Sequence, residues 1–354
     1  MASTLLVPQN NRNITLSDAE MLALLQTVPR NLVSENAFLS DIRFVPGIAR
    51  TGQGRAVDPQ ESLAEYERIL SQIKRVDPPR FGVMHKGTPY YLMGWLAYSS
   101  RDYESGVFYM DAALSEDHAN DLDWQGTPAA AFMFLNPTHP QAAANHIVAE
   151  IRQEVDAQVT RYQALAGTPF TTDDLVNRFI RPSAHDPTHR SIVTALLTFT
   201  LEGKQRLLQM YVRSAHDGTL EPFLTHLFKG GLIFESILKR FYHGQKKTPA
   251  AKPATTMGAY LSLPTTRPDL QIAMPTPLYQ TLPRPTFTLP DVLSSLPGWR
   301  GAALADRAIA IAYGIRNTSG HDLGWPAHFD SAVYRELYEG LMDAILWTIQ
   351  SKYP

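Results

Sequence analysis

The chain contains no cysteine. This absence excludes disulfide bonds, catalysis by a thiolate and zinc sites with cysteine ligands, and it favours a reducing compartment. Long apolar runs are also missing, because the longest candidates, residues 129–135 and 192–201, fall short of the roughly 20 residues of a membrane helix. The first residues lack the basic start and apolar core of a secretory signal. We therefore expect a soluble cytoplasmic protein.

The length of 354 residues predicts two domains, and their charges differ. Residues 1–180 contain 14 lysines and arginines against 21 acidic residues, whereas residues 181–354 contain 18 against 13. A mildly basic C-terminal part favours a phosphate-bearing partner. Ordinary scatter of charge along the chain explains the same imbalance, so this pattern alone assigns no function.

Helix signals dominate the N-terminal part. Ser17 and Glu20 form a capping-box pattern ahead of an apolar segment, and Asp58-Pro59 predicts the start of another helix. Residues 88–114 predict two short helices with a break at Ser99-Ser100-Arg101, and this pair resembles one tetratricopeptide-type hairpin. An ordinary helical hairpin is the alternative, since three copies at a constant period are not found.

The C-terminal part predicts a bundle of four main helices. They cover Pro187 to about Ser214, Glu221 to His243 with a bend at Gly230-Gly231, about Ala302 to Asn317, and Ser331 to Ser351. A segment with nine prolines, residues 245–290, separates the second helix from the third and excludes a continuous helix there. Chain breakers at Gly167-Thr168-Pro169 and Arg181-Pro182 place the domain boundary near 166–186. We expect an all-α protein with domains at 1–180 and 181–354.

One constellation of residues indicates chemistry. Arg316, Asn317 and His321 lie at the predicted end of the third bundle helix, with four residues between the arginine and the histidine. This segment resembles the R-x4-6-H motif of the HEPN family of ribonucleases, in its R-N-x-x-x-H form. The resemblance implies a four-helix bundle over roughly residues 187–354, with this motif at the end of its third long helix.

These residue types suit metal-independent RNA cleavage. Histidine titrates near neutral pH and can move a proton to or from an RNA oxygen, and arginine stabilises the negative charge that develops on the phosphate oxygens. Asparagine can donate to a phosphate oxygen or hold the histidine ring. The 2′-hydroxyl attacks the adjacent phosphorus, so DNA, which lacks this hydroxyl, is excluded as a substrate of this route.

A second motif lies on the predicted second bundle helix. Glu235, Lys239 and Arg240 match the E-x3-K-R pattern of many HEPN ribonucleases, which implies that they support the site or contact RNA. The alternative is a solvated Glu-Lys pair four residues apart, which stabilises a helix by only about 0.2–0.5 kcal/mol.

Other matches show how weak the spacing is by itself. Arg80 with His85 and Arg178 with His185 also satisfy it, without the following asparagine. His185 and His189 do not form a metal pair, because Pro187 breaks the register that would align them. We expect no metal and no other cofactor. One subgroup of the family has tyrosine two positions after the histidine, where this chain has Leu323, so no mechanism that needs this tyrosine is supported.

The sequence thus predicts an endoribonuclease that leaves 2′,3′-cyclic phosphate and 5′-hydroxyl ends. The family resemblance implies a homodimer with a composite active site and a role in phage defence or toxin-like growth arrest. RNA is the expected partner, and residues 1–180 are expected to sense a signal or bind a regulatory protein. The alternatives are a non-catalytic HEPN-like scaffold that binds a protein or nucleotide, and a plain helical adaptor in which the motifs occur by chance.

Overall fold

The computed structural model describes residues 16–39, 59–120, 123–138, 142–213, 218–246, 252–263, 278–282, 288–319 and 329–354. Within these ranges the regular structure is helical, apart from an isolated bridge between Lys246 and Pro253. The prediction of an all-α fold is confirmed. No helix in these ranges combines the length and the apolar character needed to cross a membrane.

The chain divides into two compact units, Met1–Ala149 and Glu150–Pro354. In its described part the first unit forms α1 (Asp18–Thr27), α2 (Leu32–Leu39), α3 (Pro59–Val76), α4 (Pro78–Val83), α5 (Gly87–Ser99), α6 (Tyr103–Ala119) and α7 (Pro128–Met133), with a 3-10 turn at Trp124–Gly126; α8 (Ala142–Ala166) begins in it.

Local signals explain the starts of several of these helices. The Ser17 backbone N–H donates to the Glu20 carboxylate at 2.7 Å and the Ser17 hydroxyl faces the Glu20 N–H, which is the predicted capping box. The predicted hairpin is present as α5 and α6. Its connection contains Arg101 with a positive φ of 61°, and Asp102 caps α6. That the hairpin is of tetratricopeptide type stays a prediction.

The second unit contains the rest of the described helices. These are the remainder of α8, α9 (Thr172–Leu175) with a π turn at Val176–Ile180 and a 3-10 turn at Arg181–His185, α10 (Pro187–Val212), α11 (Glu221–Phe241), α12 (Met257–Leu261), a 3-10 turn at Leu278–Gln280, α13 (Leu289–Trp299), α14 (Leu304–Ser319) and α15 (Ser331–Lys352).

Helices α10, α11, α14 and α15 pack against one another as a four-helix bundle. Their bounds lie within about two residues of the predicted ones. Helix α11 runs without interruption through Gly230-Gly231, where we expected a bend. Side chains from all four helices fill the core, among them Phe199, Phe234, Ile311 and Leu341. The bundle is therefore held mainly by burial of apolar surface.

The division of the chain into compact units lies earlier in the sequence than the expected boundary near 166–186, which set the domains at 1–180 and 181–354. The compact units divide between Ala149 and Glu150, within α8. The C-terminal half of α8 belongs to the second unit because Arg161 pairs with Asp343 at 2.6 Å and the Tyr162 hydroxyl donates to Gln350 at 2.6 Å, both on α15. The glycine and prolines that suggested the boundary are turns inside this unit.

The proline-rich excursion contains described helical pieces. Helix α12 and the turn at Leu278–Gln280 lie within residues 245–290, and Leu261, Leu278 and Tyr279 are buried. Residues 247–251, 264–277 and 283–287 of this segment lie outside the described ranges.

His226 is a polar group at the centre of the bundle. It is 2% exposed, its ring stacks on Phe199 with centroids 4.5 Å apart, and its Nε2 lies 2.9 Å from the Phe199 carbonyl oxygen. Its Nδ1 accepts from the Tyr334 hydroxyl at 2.7 Å when Nε2 carries the proton. Burial lowers the pKa of His226 to about 3, so this histidine is neutral in the folded protein.

We expect acid to destabilise the bundle through His226. Histidine in the unfolded chain binds a proton below about pH 6.5, whereas folded His226 does so only near pH 3. The unfolded state therefore binds more protons, and the free energy of unfolding falls from about pH 6.5 downward, by about 1.4 kcal/mol per pH unit for this group. Urea unfolding between pH 7 and pH 5 should give a shallower pH slope for His226→Gln than for the wild type. Equal slopes would contradict this account.

Candidate active site

Helices α11 and α14 approach each other closely at Gly231. A Cβ atom on Gly231 would lie 2.9 Å from the Cβ of Arg316, closer than packed atoms come, and 3.2 Å from its backbone nitrogen. Glycine is therefore required at this crossing. The contact places Arg316 beside α11, one helical turn before Glu235, so the side chains of the two predicted motifs can meet.

The carboxylate of Glu235 joins the two motifs. Its Oε2 accepts a hydrogen bond from Arg316 Nε at 2.6 Å, across 81 positions of sequence, and its Oε1 pairs with Lys239 Nζ at 3.2 Å. The Glu235 side chain is 6% exposed, against 29% for Arg316 and 48% for Lys239. The Glu-Lys pair of the alternative is present with an exposed lysine, but the Glu235 carboxylate is buried and its shorter contact is to the arginine.

The charges of this cluster sum to a positive value. One carboxylate faces two cations, and water screens its attraction to Arg316 less than its attraction to Lys239, because Lys239 is the more exposed of the two. The bond to Glu235 uses Nε of Arg316, so the guanidinium is held without its two terminal Nη groups. These groups supply the forked donor pair that suits a phosphate. The net charge and the donor groups of the cluster therefore suit an anion at the end of α14.

Of the other two predicted residues near Arg316, the structure describes Asn317 but not His321. The Asn317 side-chain amide donates to the Tyr313 carbonyl oxygen at 2.9 Å, one turn earlier in α14, so this donor is not directed at Glu235 or Lys239. His321 follows the end of α14 by two residues and lies, with residues 320–328, outside the described ranges. Its contacts are therefore not part of this geometry.

Arg240 does not join the cluster that Lys239 joins. Its guanidinium pairs with Asp186 at 2.8 Å, and Asp186 caps α10 by accepting from the backbone N–H groups of Thr188 and His189. The pKa of the Asp186 carboxyl lies below its usual range, chiefly because of the bond from the His189 N–H and then because of Arg240. Lys239 and Arg240 are adjacent in sequence but pair with different carboxylates, Glu235 and Asp186.

Burial separates Arg316 from the competing match in the first unit. Arg80 is 3% exposed, pairs with Glu35 and donates to the Leu25 and Val28 carbonyl oxygens, and His85 lies 2.8 Å from Asp117. Both side chains are therefore buried and engaged in contacts inside the first unit. Sequence spacing cannot show this difference, because the acceptors lie 32 or more positions away.

The second competing match lies on the surface. Arg178 is 38% exposed, with Asp174 3.7 Å away on the same helical segment, and His185 is exposed at the end of the 3-10 turn. Arg178 and His185 therefore serve as natural controls for Arg316 and His321. The described ranges contain no group of three or more residues that could hold a metal ion.

The close approach at Gly231 gives a direct prediction. Gly231→Ala should lower the free energy of unfolding by about 1–3 kcal/mol, because the added methyl group forces α11 away from the α14 backbone. Gly298→Ala, also within a helix of the second unit but with nothing within 4 Å of its Cβ, is the control and should be neutral or slightly stabilising. Equal effects of the two substitutions, measured by urea unfolding, would show that the helices do not meet at Gly231.

The two cations on Glu235 should contribute unequally. A double-mutant cycle with Glu235→Gln and Arg316→Gln should give a coupling energy of about 1–3 kcal/mol, within the range for contacting buried groups. The same cycle with Lys239→Gln should give at most about 0.5 kcal/mol, because Lys239 is solvated and four residues away on the same helix. A larger coupling for Lys239 would overturn this ranking.

No family model matches the chain, and no curated protein or solved structure matches it either. The functional interpretation of this cluster depends on its own geometry and on the motifs that it joins.

Proposed function

We propose that the protein is an endoribonuclease that cleaves RNA without a metal ion. The observation that supports the proposal is the bond between Arg316 and Glu235, because it joins the two motifs of the family resemblance, which lie 81 positions apart in the sequence. Chance matches have no reason to meet in one cluster. The competing pairs Arg80 with His85 and Arg178 with His185 lack such a partner motif.

The proposed reaction transfers a phosphoryl group within the RNA strand. The 2′-oxygen loses its proton to a histidine and forms a bond to the adjacent phosphorus, the bond from phosphorus to the 5′-oxygen breaks, and this oxygen takes up a proton. The products are a 2′,3′-cyclic phosphate and a 5′-hydroxyl. His321 is the proposed acid–base group, and Arg316 stabilises the charge on the phosphate oxygens in the transition state.

Glu235 has a positioning role in this proposal. A buried ion pair contributes little to stability on balance, since apolar residues of similar size often serve as well. An ion pair does fix a guanidinium in one orientation, which catalysis requires to within a fraction of an ångström. Asn317 then braces the end of α14 through the Tyr313 carbonyl oxygen rather than acting on the substrate.

Two further parts of the proposal concern assembly. A two-fold homodimer would bring two copies of His321 together, so that one removes and the other delivers a proton, with apparent pKa values that belong to the pair. The first unit, Met1–Ala149, would restrain cleavage or respond to a protein partner. A ribonuclease that acts on cellular RNA requires such control.

Cleavage in EDTA tests the proposal. Purified wild-type protein, incubated with total RNA and with a tRNA pool, should generate fragments with 5′-hydroxyl ends. His321→Ala should reduce the rate by about 10²–10⁴-fold and Arg316→Ala by about 10²–10³-fold, as expected for loss of an acid–base group and of a transition-state donor.

Matched variants separate catalysis from folding. Arg178→Ala and His185→Ala remove the same residue types at similar spacing and should cleave at the wild-type rate. Fragments that persist unchanged in both His321→Ala and Arg316→Ala would sink the proposal and would indicate a contaminating nuclease. Binding of RNA without cleavage would favour the non-catalytic scaffold.

A further inference from the structure

A cavity of about 820 Å³ opens between the start of α10, the end of α11 and Tyr353, the residue that follows α15. Its size lies in the range of small-molecule sites. Lys239, which contacts Glu235 at the candidate active site, lies on its rim. The cavity is therefore separated from Arg316 by one carboxylate.

One wall of the cavity is aromatic. The rings of Phe241 and Tyr353 have centroids 5.8 Å apart at an interplanar angle of 52°. The Tyr353 hydroxyl donates to the Ile237 carbonyl oxygen at 3.0 Å, which fixes this ring, whereas Phe241 is 37% exposed. The exposed ring of Phe241, beside the fixed ring of Tyr353, offers an apolar face on which a planar group can stack.

The rest of the cavity carries basic side chains and hydroxyl groups. Lys239, Arg240 and His243 line it together with the hydroxyls of Ser191 and Ser236, and the described lining residues include no carboxylate. Asp186 holds the Arg240 guanidinium from outside this lining, so the cation is kept in place at the rim. This combination attracts an anion of phosphate type.

We propose that this cavity binds one nucleotide, with its base against Phe241 and Tyr353 and its phosphate on Lys239, Arg240 and His243. A planar ring joined to a phosphate is the ligand that matches an aromatic wall next to a cationic rim. The inference of nucleotide binding does not need cleavage. Only the further step, in which this nucleotide belongs to an RNA strand whose neighbouring phosphate reaches Arg316, rests on the proposed function.

The arrangement around Lys239 supports a strand that continues from the cavity to Arg316. Both cations touch the same carboxylate, at 3.2 Å for Lys239 and 2.6 Å for Arg316. Successive phosphates of an extended strand can then meet successive cations. The cavity would select a nucleotide next to the cleaved bond by stacking, which tolerates every base because each has a π face.

Binding of an uncleavable strand tests the proposal directly. The probe is a fluorescein-labelled 2′-O-methyl RNA hexamer of mixed sequence, titrated with the full chain in EDTA and followed by fluorescence anisotropy. Phe241→Ala should weaken binding about tenfold, as loss of one stacked base predicts. Phe241→Leu, which keeps apolar volume and protects folding, should weaken binding similarly because it also lacks a π face. Arg240→Gln should reduce the dependence of log affinity on log salt by about 0.7.

Matched surface variants are the controls. Tyr211→Ala removes an aromatic side chain that is 76% exposed near the end of α10, and Arg335→Gln removes an exposed cation on α15; neither lines the cavity. Both should bind as the wild type does. The proposal would be overturned if the Phe241 and Arg240 variants bound the hexamer as tightly as these controls do. It would also be overturned if the wild type did not bind the hexamer at all.

Competition and cleavage distinguish the sources of the nucleotide. If free AMP or UMP displaces the hexamer, and Phe241→Leu weakens binding of both, the cavity is a site for mononucleotides. If binding of the hexamer depends on Phe241 but neither mononucleotide displaces it, the cavity binds a strand. If the wild type cleaves RNA while Phe241→Leu binds and cleaves with unchanged KM, the cavity proposal fails and the ribonuclease stands. If hexamer binding needs Phe241 but no His321-dependent cleavage occurs, the ribonuclease fails and the nucleotide site stands.

Discussion

The packing of the second unit depends on how closely other helices can approach α11. Gly230 faces Phe199 of α10 and Leu341 of α15, and a Cβ atom at position 230 would lie only 2.6 Å and 3.0 Å from their side chains. Gly231 faces Arg316 of α14. Two adjacent glycines thus allow three helices to pack against α11. The penalty of glycine within a helix, about 1 kcal/mol relative to alanine, is offset by the apolar surface that this packing buries.

The candidate active site is a consequence of this packing. Because α14 lies against Gly231, the Arg316 side chain emerges beside α11 and reaches Glu235 one turn later. Glu235 is buried, and a buried carboxylate requires a cation or hydrogen bonds to be tolerated. The ion pair is therefore both permitted and demanded by the core. A wider helix crossing would leave Glu235 without Arg316.

Helix positions were largely predictable because their signals are local. Asp186-Pro187, Pro222 and Asp330 mark the starts of bundle helices, and apolar spacing marks their lengths. The domain boundary was not predictable in this way. Gly167 and Pro182 break helices, but only tertiary contacts decide on which side of a boundary a break lies.

The site was predictable in part for the same reason. Sequence grouped Glu235 with Lys239 and Arg316 with His321, and the structure brings Glu235, Lys239 and Arg316 together. It also separates Arg240, whose partner Asp186 lies 54 positions away, and it reveals His226 as a core residue that no motif signals. The cavity beside Phe241 was missed because its lining comes from three distant segments, Thr188–Ile192, Ser236–His243 and Tyr353.

The balance of charge around Glu235 bears on how such a site would select its ligand. With Arg316 and Lys239 against one carboxylate, the cluster has a net charge of about +1. Removing the carboxylate would increase attraction for a phosphate but release the guanidinium from its fixed orientation. Ground-state binding would then improve while transition-state stabilisation declined, since only a positioned cation favours the transition state over the substrate. In the proposed ribonuclease, Glu235 would thus limit affinity for anions in general and reserve Arg316 for a phosphate that arrives in one geometry.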